Sequence, residues 1–333
     1  KTRKKYAQGV LAPVDFKSFE FRVNYKVEKV LKPEYELVQK LIDDWKNNKK
    51  NFRLLKRFSF RNPKYPFIFD LSIIRSSTYG RVEGKFGMIP QYNIEKSNVF
   101  NNRETYEIEL EIKPVKTVLN KTMLADHVEK YLKDVFNGVK MVLSGLQETN
   151  YPISVDEKEN VLIEYLKVIR GEKNLKNVRD KYNNLLINSS DFVGPSSISL
   201  TMNNIIKEKE QIMNNSIHNN YLVTEKADGM RKLIFITKSK KIYFIDMNMN
   251  VQFTGLVCSN VKLAGTIIDG EHILHNKEKN YINLFAAFDI YFKGGNDLRE
   301  YPFVNSNNLV YTNKKMDKTI FRYNELNGLT KEL

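Results

Sequence analysis

Apolar and polar positions alternate with period two along much of the first 115 residues, the texture of half-buried strands. Glu20, Arg22, Asn24, Lys26 and Glu28 alternate with Phe21, Val23, Tyr25 and Val27, so one strand face is wholly polar or charged. In Tyr106–Ile112 the same alternation puts Glu107, Glu109 and Glu111 on one face. A helix is predicted near Glu34–Lys49, and residues 123–147 and 156–170 carry apolar residues at helical spacing. Trp45 and His127 fall in such helices and read as packing residues. Asn183–Leu200 shifts to Ser, Asn, Gly and Pro and reads as a domain junction, with a helix predicted over Thr201–Asn215. Beyond it lie near-continuous apolar runs. Tyr221–Val223 predicts a strand, Lys240–Gly255 a strand, a turn and a strand, and Tyr281–Phe292 a buried strand.

Composition narrows the classes. A chain of 333 residues, 41% hydrophobic, has room for two domains with sizeable cores. No apolar stretch approaches twenty residues and no secretory leader is visible, so no membrane partner is expected. One cysteine, Cys258, excludes an intramolecular disulfide framework and a thiolate zinc site. The formal net charge of +15 favours a polyanionic partner, although a lysine-rich surface can also be mere solvation.

The chemistry concentrates in two places. Lys226-x-Asp228-Gly229-x-Arg231 follows the run at 221, and Asp269-Gly270-Glu271 ends a second apolar run. Asp-Gly is a common turn dipeptide, so the first motif alone equally describes a solvated turn. Together the two resemble the first and third signature motifs of the covalent nucleotidyltransferases, the superfamily of capping guanylyltransferases and nucleic-acid ligases. Phe288-Asp289-Ile290, then Asp297-Leu298-Arg299-x-x-Pro302-Phe303, extend the resemblance to the large-DNA-virus capping branch over roughly Val193–Phe303. The resemblance implies a phosphoramidate between a nucleoside monophosphate and Lys226. A lysine amine attacks only when neutral, and at pH 7 about one in a few thousand free amines is. By the same resemblance Asp228 and Glu271 orient the nucleophile, metal or ribose, and Arg231 holds ribose or phosphate. Thr224, Glu225, Gly229, Asp246 and Arg299 are the implied nucleotide-binding residues. One departure is that Met247, not arginine, follows Asp246. The family's later acidic-Gly and Lys-x-Lys motifs and its OB-fold lid are not found, so the chain reads as part of a longer polypeptide.

The Glu107, Glu109 and Glu111 strand is similar to the C-terminal metal strand of the triphosphate-tunnel family, whose capping members remove the γ-phosphate of nascent RNA. A charge-guarded edge strand is the plainer alternative. The resemblance implies Glu107, Glu109 and Glu111 as ligands of Mg2+ or Mn2+, and Arg22, Lys26, Arg57 and Arg75 as triphosphate contacts. The matching N-terminal Glu-x-Glu strand is not seen: Ser18-Phe19-Glu20 offers one acid.

The expectation is therefore an α+β chain with two incomplete domains. Residues 1–190 would form an antiparallel β-tunnel with RNA triphosphatase character. Residues 191–333 would form an antiparallel-sheet nucleotidyltransferase domain that transfers GMP from GTP to an RNA end. The resemblance implies the nascent RNA 5′ end and GTP as partners, a cap methyltransferase and RNA polymerase as associates, and a cytoplasmic, viral-factory location. A polynucleotide ligase using ATP and a noncatalytic RNA-binding scaffold are the rival readings.

Overall fold

A computed structural model describes residues 13–24, 31–112, 121–175, 178–181, 183–205, 216–218, 221–305 and 316–329, with only the backbone course for 121–127. It divides into two compact units, one of Lys1–Asp15 with Arg22–Leu143, the other of Phe16–Phe21 with Ser144–Leu333. The division falls well before the Asn183–Leu200 junction expected from composition. The reason lies in a helix that packs on the second sheet, described below.

Of the expected strand over Glu20–Glu28, Phe21–Val23 is a strand and residues 25–28 lie outside the described residues. Val14–Phe16 (β1) pairs with Phe21–Val23 (β2) around a 3-10 turn, and Glu20 takes a left-handed φ of 55°. Lys26 lies outside the described residues. Helix α1 covers only Glu36–Asp43. Trp45 falls beyond it and is exposed, with the Lys50 amine 4.8 Å from its ring centroid, so it is not a packing residue. Arg53–Arg61 (β3), Phe67–Ser76 (β4) and Thr105–Ile112 (β7) form an antiparallel sheet in the order β3-β4-β7. Between β4 and β7 lies a hairpin of Tyr79–Val82 (β5) and Lys85–Met88 (β6). Among the described residues these strands make an open sheet and a hairpin, not a closed tunnel. Helix α2, Lys121–Gln147, runs on from this unit; Gly138 gives it close approach, since an added Cβ would stand 2.5 Å from Leu110 and 2.9 Å from Phe67.

In the second unit, α3 (Val155–Arg170) shows why its sequence is helical. Ser154 caps it by accepting from the Glu157 N–H at 3.1 Å. Asp156 and Glu157 sit in the first turn and Lys167 and Arg170 in the last, complementing the helix dipole. Its buried residues Val161, Leu162, Tyr165 and Leu166 share one face. They pack on Leu233, Phe235, Tyr243, Ile245 and Ile267 of the sheet, each such burial stabilising by about 1.5–3 kcal/mol. This contact assigns α3 to the second unit.

That sheet has six antiparallel strands, ordered β10-β9-β8-β11-β12-β13. They are β8 (Met230–Ile236), β9 (Lys241–Asp246), β10 (Val251–Val257), β11 (Ile267–His275), β12 (Tyr281–Lys293) and β13 (Asn296–Asp297). Its opposite face buries Ile236, Ile242, Ile268 and Ile290 with Leu326 and Leu329 of the C-terminal helix Arg322–Leu329. Two expectations need correction. Tyr221–Val223 is not a strand: it is exposed and without sheet partners, and the strand begins after the Lys226 motif. In β12 only Ile290, Tyr291 and Phe292 are buried, while Tyr281, Ile282, Leu284 and Phe288 are exposed. Of the Thr201–Asn215 helix, Met202–Ile205 is helical and 206–215 lie outside the described residues.

Candidate functional site

The two motifs meet at one end of the second sheet. Antiparallel pairing of β8 with β11 sets Arg231 opposite Glu271 and Met230 opposite His272. At the start of β8 the Gly229 N–H donates to Glu271 Oε1 at 3.2 Å, so the turn after Lys226 is fastened to the Glu271 strand. Only glycine fits there, because an added Cβ would lie 2.5 Å from the His272 carbonyl oxygen and 3.0 Å from Glu271 Cγ.

Lys226 stands in the open. Its side chain is 87% exposed, with Nζ 3.5 Å from Asp228 Oδ1, a solvated pair that contributes little. Thr224 and Glu225 precede it in an exposed stretch without assigned strand.

Arg231 is held, not free. Its Nε and Nη2 donate to Asp269 Oδ1 and Oδ2 at 3.1 and 2.6 Å, and Nη1 donates to the Pro195 carbonyl at 2.8 Å. Asp269 is fully buried, and Tyr291 donates its hydroxyl to the same carboxylate at 2.6 Å. The bonds from Asp269 raise the Arg231 pKa, and burial followed by Asp269 raises that of Tyr291. Phe192 and Phe288 lie 5.3 and 6.0 Å from the guanidinium carbon. The sequence reading missed Asp269 and Tyr291 as its partners. Asp269 was visible as an acid in an apolar run, but nothing local marks which cation it meets.

Other expected ligands have local partners. Asp246 accepts from the N–H groups of Asn248 and Asn250 and from the Asn250 amide, closing the β9–β10 turn. Arg299 pairs with Asp297 at 2.5 Å and lies 4.9 Å from the Phe292 ring centroid. Asp289 receives both Nε and Nη2 of Arg322, at 2.8 and 3.1 Å.

A second polar group occupies the other face of the sheet. Lys232 is buried with its amine 2.6 Å from Gln252 Oε1 and 5.4 Å from the Phe244 ring centroid. His272, also buried, bonds Asn283 through Nε2 at 2.8 Å and packs on Phe244, and its Nδ1 has no partner among the described residues.

In the first unit the acids and bases meet each other. Arg57 reaches Ser72, Asp70 and Glu109 at 3.0, 3.1 and 2.6 Å, and Arg53 reaches both oxygens of Glu107 at 3.1 Å. Arg75 bonds Glu104 and the Phe100 carbonyl, and Arg22 bonds Asp15. Glu111 lies exposed opposite Ile68. Among the described residues no three His, Cys, Asp or Glu side chains are grouped to hold a metal ion. Of the expected ligands Glu107, Glu109 and Glu111, the first two are paired with Arg53 and Arg57 and the third is exposed. Among the described residues no helix is long and apolar enough to cross a membrane.

The chain is similar in sequence to known proteins. A family model described as the catalytic domain of mRNA capping enzyme matches residues 158–325, half of the chain. A protein of Acanthamoeba polyphaga mimivirus, named "Probable mRNA-capping enzyme", is 32% identical over 194 residues, which are 58% of this chain and 13% of that protein. The chain thus spans a small part of that relative's length. The family match covers α3 from Lys158 onward and every strand of the second sheet, and the chain belongs to the mRNA capping enzyme catalytic domain family.

Proposed function

We propose that the second unit transfers GMP from GTP to an RNA 5′ end through Lys226. The observation that carries this reading is the bond from Gly229 N–H to Glu271, which joins two motifs forty residues apart into one end of a sheet beside an accessible amine. The neutral Lys226 amine attacks the α-phosphorus of GTP; a P–N bond forms, the bond to the bridging oxygen breaks, pyrophosphate leaves and the amine loses a proton. An RNA 5′-diphosphate oxygen then attacks the same phosphorus, and the P–N bond breaks to return the lysine. Glu271 holds the Gly229 turn in register with β11, and Arg231 presents a cation to ribose or phosphate oxygens.

For the first unit the companion reading is hydrolysis of the RNA 5′-triphosphate. It is supported by the charged face of Arg53, Arg57, Glu107 and Glu109, and weakened by their mutual pairing. Release of phosphate from γ-labelled triphosphate RNA tests it, and no release by the full-length protein retires it.

The transfer reading is tested by incubating the full-length protein with α-labelled GTP or ATP and Mg2+. An acid-labile GMP adduct that falls at least about a hundredfold in Lys226→Ala is expected, in keeping with loss of a covalent nucleophile. An AMP adduct in its place moves the reading to ligase. A GMP adduct retained in Lys226→Ala defeats it.

A further inference from the structure

The geometry points to the Asp191–Pro195 segment, seated by the hydroxyl of Tyr165 and passing Tyr291 at Gly194, as a positioning strap for the Arg231 guanidinium. The inference rests on the nucleotidyl-transfer reading and deepens it, since it names what fixes the cation that meets the nucleotide.

Two tyrosines reach the strap from different elements. Tyr165 of α3 donates its hydroxyl to the Asp191 carbonyl at 2.8 Å and accepts from the Val193 N–H at 2.8 Å. The Asp191 carboxylate accepts from the Asn188 N–H at 3.2 Å and pairs with Arg170, so the start of the segment is closed on itself. Tyr291 of β12 faces the middle. Gly194 adopts a φ of +125°, and a Cβ there would lie 2.9 Å from both the Tyr291 hydroxyl and Arg231 Nη2. The strap passes against the guanidinium at glycine and cannot do so with a larger residue.

What the strap does to Arg231 follows from its donors. Pro195 takes one N–H of Nη1 and Asp269 takes Nε and one of Nη2, while Phe192 covers one side of the plane. Of the five N–H groups of a guanidinium, one on each terminal nitrogen remains, directed by the three bonds already made. An arginine fixed in this way presents a pair of donors of set direction to ribose hydroxyls or phosphate oxygens, and loses little conformational freedom on binding them. Without the strap, Arg231 keeps Asp269 but loses the partner that sets Nη1.

The test is steady-state transfer of labelled GMP to a diphosphate-ended RNA by the full-length protein carrying Tyr165→Phe, which removes the hydroxyl that seats the strap and retains the ring, or Gly194→Ala, whose Cβ would meet Arg231 Nη2 and Tyr291 at 2.9 Å. Each is expected to raise KM for GTP about tenfold, the scale of one hydrogen bond in a charged network, with kcat changed by less than about a factor of two. A purely structural role lowers the folded fraction and leaves KM alone. Unchanged KM in both variants, or a fall in kcat at unchanged KM, overturns the strap; if one variant does not fold, by circular dichroism, the other decides. Lys226→Ala in parallel separates the two ideas. A retained adduct there defeats nucleotidyl transfer, whereas a lost adduct there with normal KM in the strap variants defeats the strap alone.

Discussion

Lys226 and Lys232 flank the same Gly229 turn and lie in opposite surroundings. Lys226 is exposed, as the proposed transfer requires; Lys232 is buried on a neutral Gln252 oxygen, and burial lowers its pKa. His272 shares its pocket. Burial lowers the His272 pKa, the bond to Asn283 partly opposes this, and the Lys232 charge adds to the lowering. Lys232 on β8, Phe244 on β9 and Asn283 on β12 surround the imidazole, with Asp246 and Glu148 acting on Lys232 from outside. The sign is set by the depression: between its folded pKa and the unfolded value near 6.5, the unfolded chain binds more protons. Stability from this group is full above about pH 6.5 and falls as pH drops toward the folded pKa. Thermal melts from pH 7 to 5 should show a steeper loss of Tm in the native protein than in His272→Gln. Equal slopes would mean that His272 is not the group that senses acid.

At the level of elements, β3, β4 and β7 are cross-linked by one arginine in addition to their ladders. Arg57 on β3 bonds Asp70 and Ser72 on β4 and Glu109 on β7, and Asp70 is buried with Ser59 as its other partner. Arg57→Ala leaves that carboxylate without a cation. Because the arginine is partly exposed, the expected loss is about 1–3 kcal/mol in urea denaturation, less than for a fully buried pair. A loss no larger than that of an exposed surface pair such as Lys40→Ala would show that solvent replaces the guanidinium. The strands themselves were legible, because period-two alternation survives in any sheet of this kind. The cross-strand pairing was not. Glu109 and Arg57 are 52 residues apart, and the alternation that placed the acids on one face carried no information about what β3 would set beside them. The opposite error arose at Tyr221–Val223, where apolar composition predicted a strand for residues that the described structure leaves exposed.

For the whole molecule, the site was legible where a motif fixes backbone and illegible where distant side chains complete it. Lys226, Gly229 and Glu271 were named from a motif resemblance, and the register of β8 with β11 brings Gly229 and Glu271 together. Pro195, Phe192 and Tyr291 were not predictable, because only the packing of α3 and its following segment on the sheet delivers them to Arg231. The same reasoning bears on the net charge of +15. Arg22, Arg53, Arg57 and Arg75 are already paired with carboxylates, so a polyanion must be met mainly by other cations or must displace these acids. If the charge serves RNA binding, release of counterions governs affinity. Contact with about six phosphates of a single strand would weaken binding roughly 10²- to 10³-fold between 50 and 200 mM salt. Fluorescence anisotropy with a short single-stranded RNA measures that slope directly. A nearly flat salt dependence would show that the lysines only solvate the surface, and that RNA is held through the chemistry of its 5′ end alone.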